Sequence, residues 1–388
     1  MCLFEIDGDF SPDLLASALE DLVERHGVLR TSIGRRGTEM VQCVRDSWQQ
    51  VLTFGSGTST PDALAGEFMA SRRGTEEVLN GAPLFQARIY PRRHGFLLAI
   101  SIHHLISDEW TMALLWHDLS ESYAARVEGR PARLPDLTTT YAEFAESQRA
   151  ALPESAANAL PFWEEVFADN PGEIPWPQPS GAPTPSTEVV FAPFVFPIDR
   201  YPSIRNLART CRATPFHVLL SACAVATSRV TGKGEFLIAT DTASREDRST
   251  RDVMGFFVNT RMTRVNTRAA QSLQDLVSTV RESWLAAEQY RDCHIHPVLE
   301  ALGEPKSMRV DMAHGLIDEH SGPMFDNATV KPLHVTPTYH YWRDLGFQWY
   351  SSATGYKVDV IHKPSRIDTS TLAAVIGEVS AVLENPYS

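Results

Sequence analysis

Two adjacent histidines, His103 and His104, follow an apolar run in SIHHLISDEW (101–110), and Asp108 stands four residues after the second. Imidazole titrates near neutrality, so a histidine beside a reacting group can move a proton in the transition state, an effect of about 10²–10⁴-fold on rate. A carboxylate at that spacing can orient the ring or close the loop that carries it. A metal would demand a third and fourth ligand. His294 and His296 in HIHP (294–297) could offer some, but nothing ties them to His104, and no metal site is expected. A nucleophilic triad has no GxSxG elbow to start from, and VTGKGE lacks the GxxxxGK[ST] spacing of a phosphate loop. The stretch by itself leaves proton transfer and a purely structural histidine pair both open.

The neighbouring elements position these side chains. GFLLAISI (95–102) reads as a strand, in which alternate residues share a face. Phe96, Leu98, Ile100, Ile102 and His104 would then point one way and His103 the other. A helix from about Trp110 to Val127 buries Met112, Leu115, Trp116, Leu119 and Tyr123 at i, i+3, i+4 spacing. His104 therefore lies at a strand-to-helix junction, where a rigid base can hold a reactive group. An earlier helix (11–30) has Ser11 to cap it, Pro12 in its first turn, an apolar stripe of Leu15, Leu19, Leu22, Val23 and His26, and a stop at Gly27.

Helices and strands alternate in both halves, so the expected class is α/β or α+β. The chain has 388 residues, too many for one ordinary core, which predicts two lobes. PGEIPWPQPSGAPTPST (171–187) is dense in proline, glycine and serine and reads as the linker, with an N-terminal lobe over 1–170 and a C-terminal lobe over 188–388. A net charge of −13 argues against a nucleic-acid partner, because no excess of Lys and Arg is present to neutralise phosphates. Five scattered cysteines without a CxxC pair predict reduced thiols and a cytoplasmic location. The apolar runs are too short to span a bilayer, and no membrane association is expected.

HHLISDEW resembles the HHxxxDG signature of condensation domains of nonribosomal peptide synthetases, with Glu109 in place of the glycine. Other segments are similar to the same family in the same order. LEDLVERHGVLRTSI resembles RHExLRTxF, VLNGAPLFQARIY resembles the GPLLRAxL strand entry, and TYAEFAESQ resembles YxDYAxWQ. FWEEVFA looks like the tryptophan-bearing helix that follows, and SRVTGKGEFLIATDTASR like the glycine-led strand of the second lobe. MGFFVNTRMTR is close to IGxFVNTxxxR, and DLGFQW and VDVIHKPSRIDTSTLAAVIGEV fit the last strand and helix. The opening SxAQxRLW is not found, so the chain is expected to begin partway into the family pattern. HQDxPFE is barely visible in CHIHPVLE, and SMRVDMAHGLIDEH lacks the RDxSRNPL pattern.

The resemblance implies two chloramphenicol-acetyltransferase-like lobes in a V with a tunnel between them. It implies a condensation enzyme, an acyltransferase that joins a carrier-bound acyl or peptidyl thioester to an amine or hydroxyl acceptor. Substrates would arrive on the 4′-phosphopantetheine of acyl or peptidyl carrier proteins, with no cofactor bound by the domain itself. His104 would stand next to the reacting amine, as general base or as hydrogen-bonding orienter. His103 and Asp108 would be structural, Asp108 through an arginine for which Arg30 is the first candidate and Arg25 the second. Glu109, Trp110 and Asn259 would line the tunnel, although Glu109 also suits the solvated first turn of a helix. Two other functions stay open: a non-catalytic relative that recruits a tailoring enzyme to a carrier-bound peptide, and a carrier-independent acyltransferase.

Overall fold

The computed structural model describes residues 1–46, 50–56, 60, 61, 63, 66, 75–169, 171–177, 189–197, 201–245, 247–303, 310–318, 322–333 and 343–386. The first part of the chain forms β1 (Cys2–Gly8), α1 (Pro12–Arg25), β2 (Thr31–Arg36), β3 (Glu39–Val44), β4 (Leu52–Phe54), α2 (Thr75–Leu79), β5 (Phe85–Pro91), β6 (Phe96–Ile102), α3 (Glu109–Glu128) and α4 (Tyr141–Phe167). The rest forms β7 (Val190–Pro197), α5 (Ser203–Thr210), α6 (Pro215–Thr231), β8 (Glu235–Ala243), β9 (Val258–Asn266), α7 (Leu273–Glu288), α8 (Ile295–Ala301), β10 (Met312–Asp318), β11 (Ala328–Leu333), β12 (Leu345–Ser352), β13 (Gly355–His362) and α9 (Thr369–Glu384).

Contacts divide this mixed α/β chain into two units, and the division interleaves. The first unit takes Met1–Arg149, Arg245–Val258 and the stretch carrying β11; the second takes Ala150–Ser244, Asn259–Glu319 and Thr338–Ser388. This corrects the expected boundary at 171–187. Residues 178–188 lie outside the described residues, but Ile174 and Trp176 are buried in the core of the second unit, and Ile174 N–H donates to Asp311 Oδ2 at 2.8 Å. Proline and glycine density reports irregular backbone. It carries no information about which long-range contacts that backbone makes.

In the first unit a five-stranded sheet runs β11-β1-β6-β5-β4. β6 lies inside it, antiparallel to both β1 and β5, which fixes its register from two sides. Leu98, Ile100 and Ile102 of β6 pack with Leu15, Leu19 and Leu22 of α1 and Leu115, Leu119 and Tyr123 of α3, while Leu97 and Ala99 pack with Leu3 and Tyr90 on the opposite face. A strand buried on both faces reads as the continuous apolar run seen in the sequence. Ser11 caps α1, its hydroxyl accepting from Leu14 N–H at 3.3 Å.

The second unit has a six-stranded sheet, β7-β13-β12-β10-β8-β9, in which β10 runs parallel to both β12 and β8. Residues of α5, α6, α7 and α9 form one core with Phe236, Ile238, Met312, Phe347 and Trp349 of the sheet. Ala159, Trp163 and Phe167 of α4 join Leu237, Ala239 and Met262 in another cluster. Strand neighbours alternate between these clusters, as the pleat requires.

Candidate functional site

β6 ends at Ile102, and the chain enters a 3₁₀ turn over His104–Ile106 before α3 begins. The strand alternation expected to separate His103 from His104 therefore stops one residue short of them. Instead His103 caps the turn, its Nδ1 accepting from Leu105 N–H at 3.1 Å. His103 was expected on the opposite face of the strand; it lies past the strand end and caps the turn instead.

His104 is exposed at the start of that turn. Its Nδ1 lies 2.6 Å from the carbonyl oxygen of Ser107. A carbonyl only accepts, so Nδ1 carries the proton, and in the neutral ring Nε2 keeps its lone pair. The edge of one ring faces the plane of the other where His104 meets Phe256, with centroids 5.2 Å apart at 89°. Below the imidazole the loop is anchored by buried Ile106 and by Ser107, whose hydroxyl donates to His103 O at 3.1 Å.

Asp108 holds the far end of the loop. It is the N-cap of α3, Oδ1 accepting from Thr111 N–H at 2.7 Å, and Oδ2 accepts from Phe257 N–H at 3.0 Å. The remaining partner is Arg245, whose Nη2 lies 3.2 Å from Oδ1 and 3.3 Å from Oδ2. Both residues are buried, at 3% and 5% exposure, so each charge is stable only because the other is present. Burial pushes the Arg245 guanidinium down from its ordinary value, and Asp108 opposes that. Arg245 Nη1 donates to Thr250 O at 2.8 Å and Val253 O at 2.5 Å, and the guanidinium stacks 3.8 Å over the Phe257 ring. One arginine thus gathers residues 245–257 onto the histidine loop.

Arg30 and Arg25 are not the partners of Asp108. Arg30 Nη1 donates to Val23 O at 2.8 Å and Glu24 O at 2.9 Å, satisfying carbonyls at the end of α1. Arg25 Nε donates to Asp118 Oδ2 at 3.3 Å, and Asp118 also holds His26 Nε2 at 2.8 Å. Burial pushes His26 below its ordinary value even though Asp118 works the other way. The true partner comes from 137 residues away in sequence. Its only signal was a lone arginine closing the strand segment LIATDTASR.

Glu109 is exposed in the first turn of α3, next to the cap. Trp110 is also exposed, with Nε1–H donating to Arg251 O at 2.9 Å. Asn259 is elsewhere: it belongs to the second unit and is 3% exposed. Its Nδ2 donates to Arg291 O at 2.9 Å and Cys293 O at 2.8 Å, so the side chain ties down the turn before α8. The position expected to line a tunnel is spent on backbone, because a buried amide must satisfy its donors. Among the described residues no group of three or more His, Cys, Asp or Glu side chains is placed to hold a metal ion. Among them, too, no helix is long and apolar enough to cross a membrane.

The family model of the condensation domain matches residues 1–319. The chain is 27% identical over 397 aligned residues to the cyclosporin synthetase of Tolypocladium inflatum, covering 99% of this chain and 3% of that protein. It spans between 3% and 26% of the length of the first curated relatives it matches, among them nonribosomal peptide synthetases. Its fold is similar to that of the X-domain in a complex of the X-domain and OxyB from teicoplanin biosynthesis, at a TM-score of 0.84 and 18% identity, over 100% of this chain and 88% of that one. It is also similar to the first condensation domain of the calcium-dependent antibiotic synthetase in complex with a substrate analogue, at a TM-score of 0.78 and 17% identity, over 100% of this chain and 91% of that one. The mixed α/β architecture is therefore the chloramphenicol-acetyltransferase-like one of those domains, and the chain belongs to the condensation-domain family.

Proposed function

We propose that this chain condenses a carrier-bound acyl or peptidyl thioester with an amine, or less often a hydroxyl, acceptor, in the cytoplasm. The acceptor nitrogen attacks the thioester carbonyl carbon, the carbon–sulfur bond breaks, and the phosphopantetheine thiol leaves. Attack creates an ammonium and an oxyanion together. Nε2 of His104 takes the ammonium proton and delivers it to the departing thiolate, so the ring returns to its starting state. The observation that supports this reading is the exposed imidazole whose Nδ1–H is committed to Ser107 O, which leaves Nε2 as the acceptor. Acyl and peptidyl carrier proteins are the partners that would present the donor.

The test is a purified reaction with an acyl-loaded carrier protein and a free amine, followed by mass spectrometry. His104→Ala should lower product formation by about 10²-fold or more and leave the melting temperature unchanged. Turnover equal to wild type would remove His104 from the chemistry.

Glu109 supports a second reading, a non-catalytic domain that brings another enzyme to a carrier-bound peptide. A carboxylate one residue past the cap would oppose an oxyanion formed beside it. A wild-type chain that is inactive and is revived by Glu109→Gly would favour this reading over the enzyme.

A further inference from the structure

The Nδ1–H to Ser107 hydrogen bond restrains His104 at one atom and leaves the ring a path to turn about it. A second contact blocks that path. Phe256 meets the imidazole at 5.2 Å and 89°, a contact that a rotated ring would lose. We infer that Phe256 is a positioning residue for His104, and that Tyr141 holds Phe256 in place.

The backbone around Phe256 is unusually well tied. Tyr141 Oη donates to Phe256 O at 2.9 Å. On one side Gly255 N–H donates to Thr111 Oγ1 at 2.9 Å, and the Thr111 hydroxyl donates to Gly255 O at 2.7 Å. On the other side Phe257 N–H donates to Asp108 at 3.0 Å. The Tyr141 ring lies so close to Gly255 that a Cβ there would come within 2.2 Å of Tyr141 Cδ2. The ring also packs edge-on against Phe257, with centroids 5.2 Å apart at 70°. Residues 255, 256 and 257 are thus each anchored to α3, its cap or α4, and every one of these contacts lies inside the first unit. These restraints fix the backbone from which the Phe256 ring projects against His104. A neutral histidine side chain in water prefers the proton on Nε2. The Phe256 ring keeps the imidazole where Nδ1–H can reach Ser107, which maintains the rarer tautomer that acid–base work at Nε2 needs.

The inference rests on the proposed role of His104 for its effect on rate, but its structural content can be measured without turnover. Long-range ¹H–¹⁵N spectra report which nitrogen of His104 carries the proton. Wild type should show Nδ1–H. Phe256→Ala and Phe256→Leu should shift the population toward Nε2–H, Tyr141→Phe should shift it less and in the same direction, and Phe256→Tyr should restore the wild-type spectrum. With a carrier-loaded donor, kcat should fall about ten- to hundredfold in Phe256→Leu with KM within about twofold, and recover in Phe256→Tyr. Phe256→Leu keeps apolar volume and guards against an alanine variant that fails to fold. Unchanged His104 tautomer in both Phe256→Leu and Phe256→Ala would overturn the inference. A wild type that shows Nδ1–H and forms no product would instead refute the enzymatic reading and leave the positioning result standing.

Discussion

At the scale of single residues the site turns on Asp108 and Arg245. Asp108 accepts from Thr111 N–H, Phe257 N–H and the Arg245 guanidinium in a buried setting. Asp108→Asn strands the arginine and turns one acceptor into a donor facing it. Removing one partner of a buried pair costs about 3–5 kcal/mol, and urea denaturation should show a loss of that order. A variant that unfolds like wild type yet makes no product would move Asp108 from support into the chemistry. Glu109 separates differently, because it is exposed. If its carboxylate holds a cationic acceptor, Glu109→Gly should weaken a diamine by about 1.5–3 kcal/mol and leave a neutral amine alone. If it faces only solvent, neither acceptor should respond. Paired rate measurements on one carrier-bound donor distinguish the two.

At the scale of elements the functional loop is a composite. β6 delivers it, α3 terminates it through its own cap, and the segment 245–257 closes over it from the far half of the chain. The close approach of Tyr141 to Gly255 is where that segment meets α4. Gly255→Ala inserts a methyl group into space already filled by an aromatic ring. Overpacking of this kind costs about 1–3 kcal/mol, and the thermal midpoint should fall accordingly. A Gly255→Ala protein as stable as wild type would show that Tyr141 can move aside without loss, which would also weaken its hold on Phe256.

For the whole molecule the interleaving has consequences for cutting it. The expected first lobe, residues 1–170, lacks Arg245, and it lacks β11, which pairs along β1 from Leu3 to Gly8. A fragment of 1–170 should therefore expose a strand edge and a buried unpaired carboxylate, and should be insoluble or rapidly proteolysed. A soluble fragment with a cooperative melt would contradict this. Acid should destabilise the chain as a whole. Burial pushes His217 down to about 4, assisted by Arg281, and His314 down to about 3, assisted by His217. It also lowers His26, His294 and His362. The unfolded chain, with histidines near their free value of about 6.5, binds more protons than the folded one below that pH. Stability from these groups is thus complete above about pH 6.5 and is lost as pH falls toward the folded values. The urea midpoint should be lower at about pH 5 than at about pH 7.5, and His314→Phe should flatten the difference.

Local order was legible in the residues themselves. The alternation of helix and strand, the capped α1, the apolar stripe of α3 and the junction carrying His104 are all read from spacing, because periodicity and caps depend on neighbours in sequence. The order of the motifs likewise pointed to the family. Pairing at a distance was not legible. Arg30 lay nearer in sequence to Asp108 and was the wrong arginine, since helix-end carbonyls claimed it. Asn259 stood in a motif and was taken up by two backbone carbonyls. Proline-rich composition marked irregular backbone that is nonetheless buried at Ile174 and Trp176. Only the tertiary structure decided which buried charge met which, because that depends on the arrival of residues 245–257 from across the chain, and no local propensity encodes it.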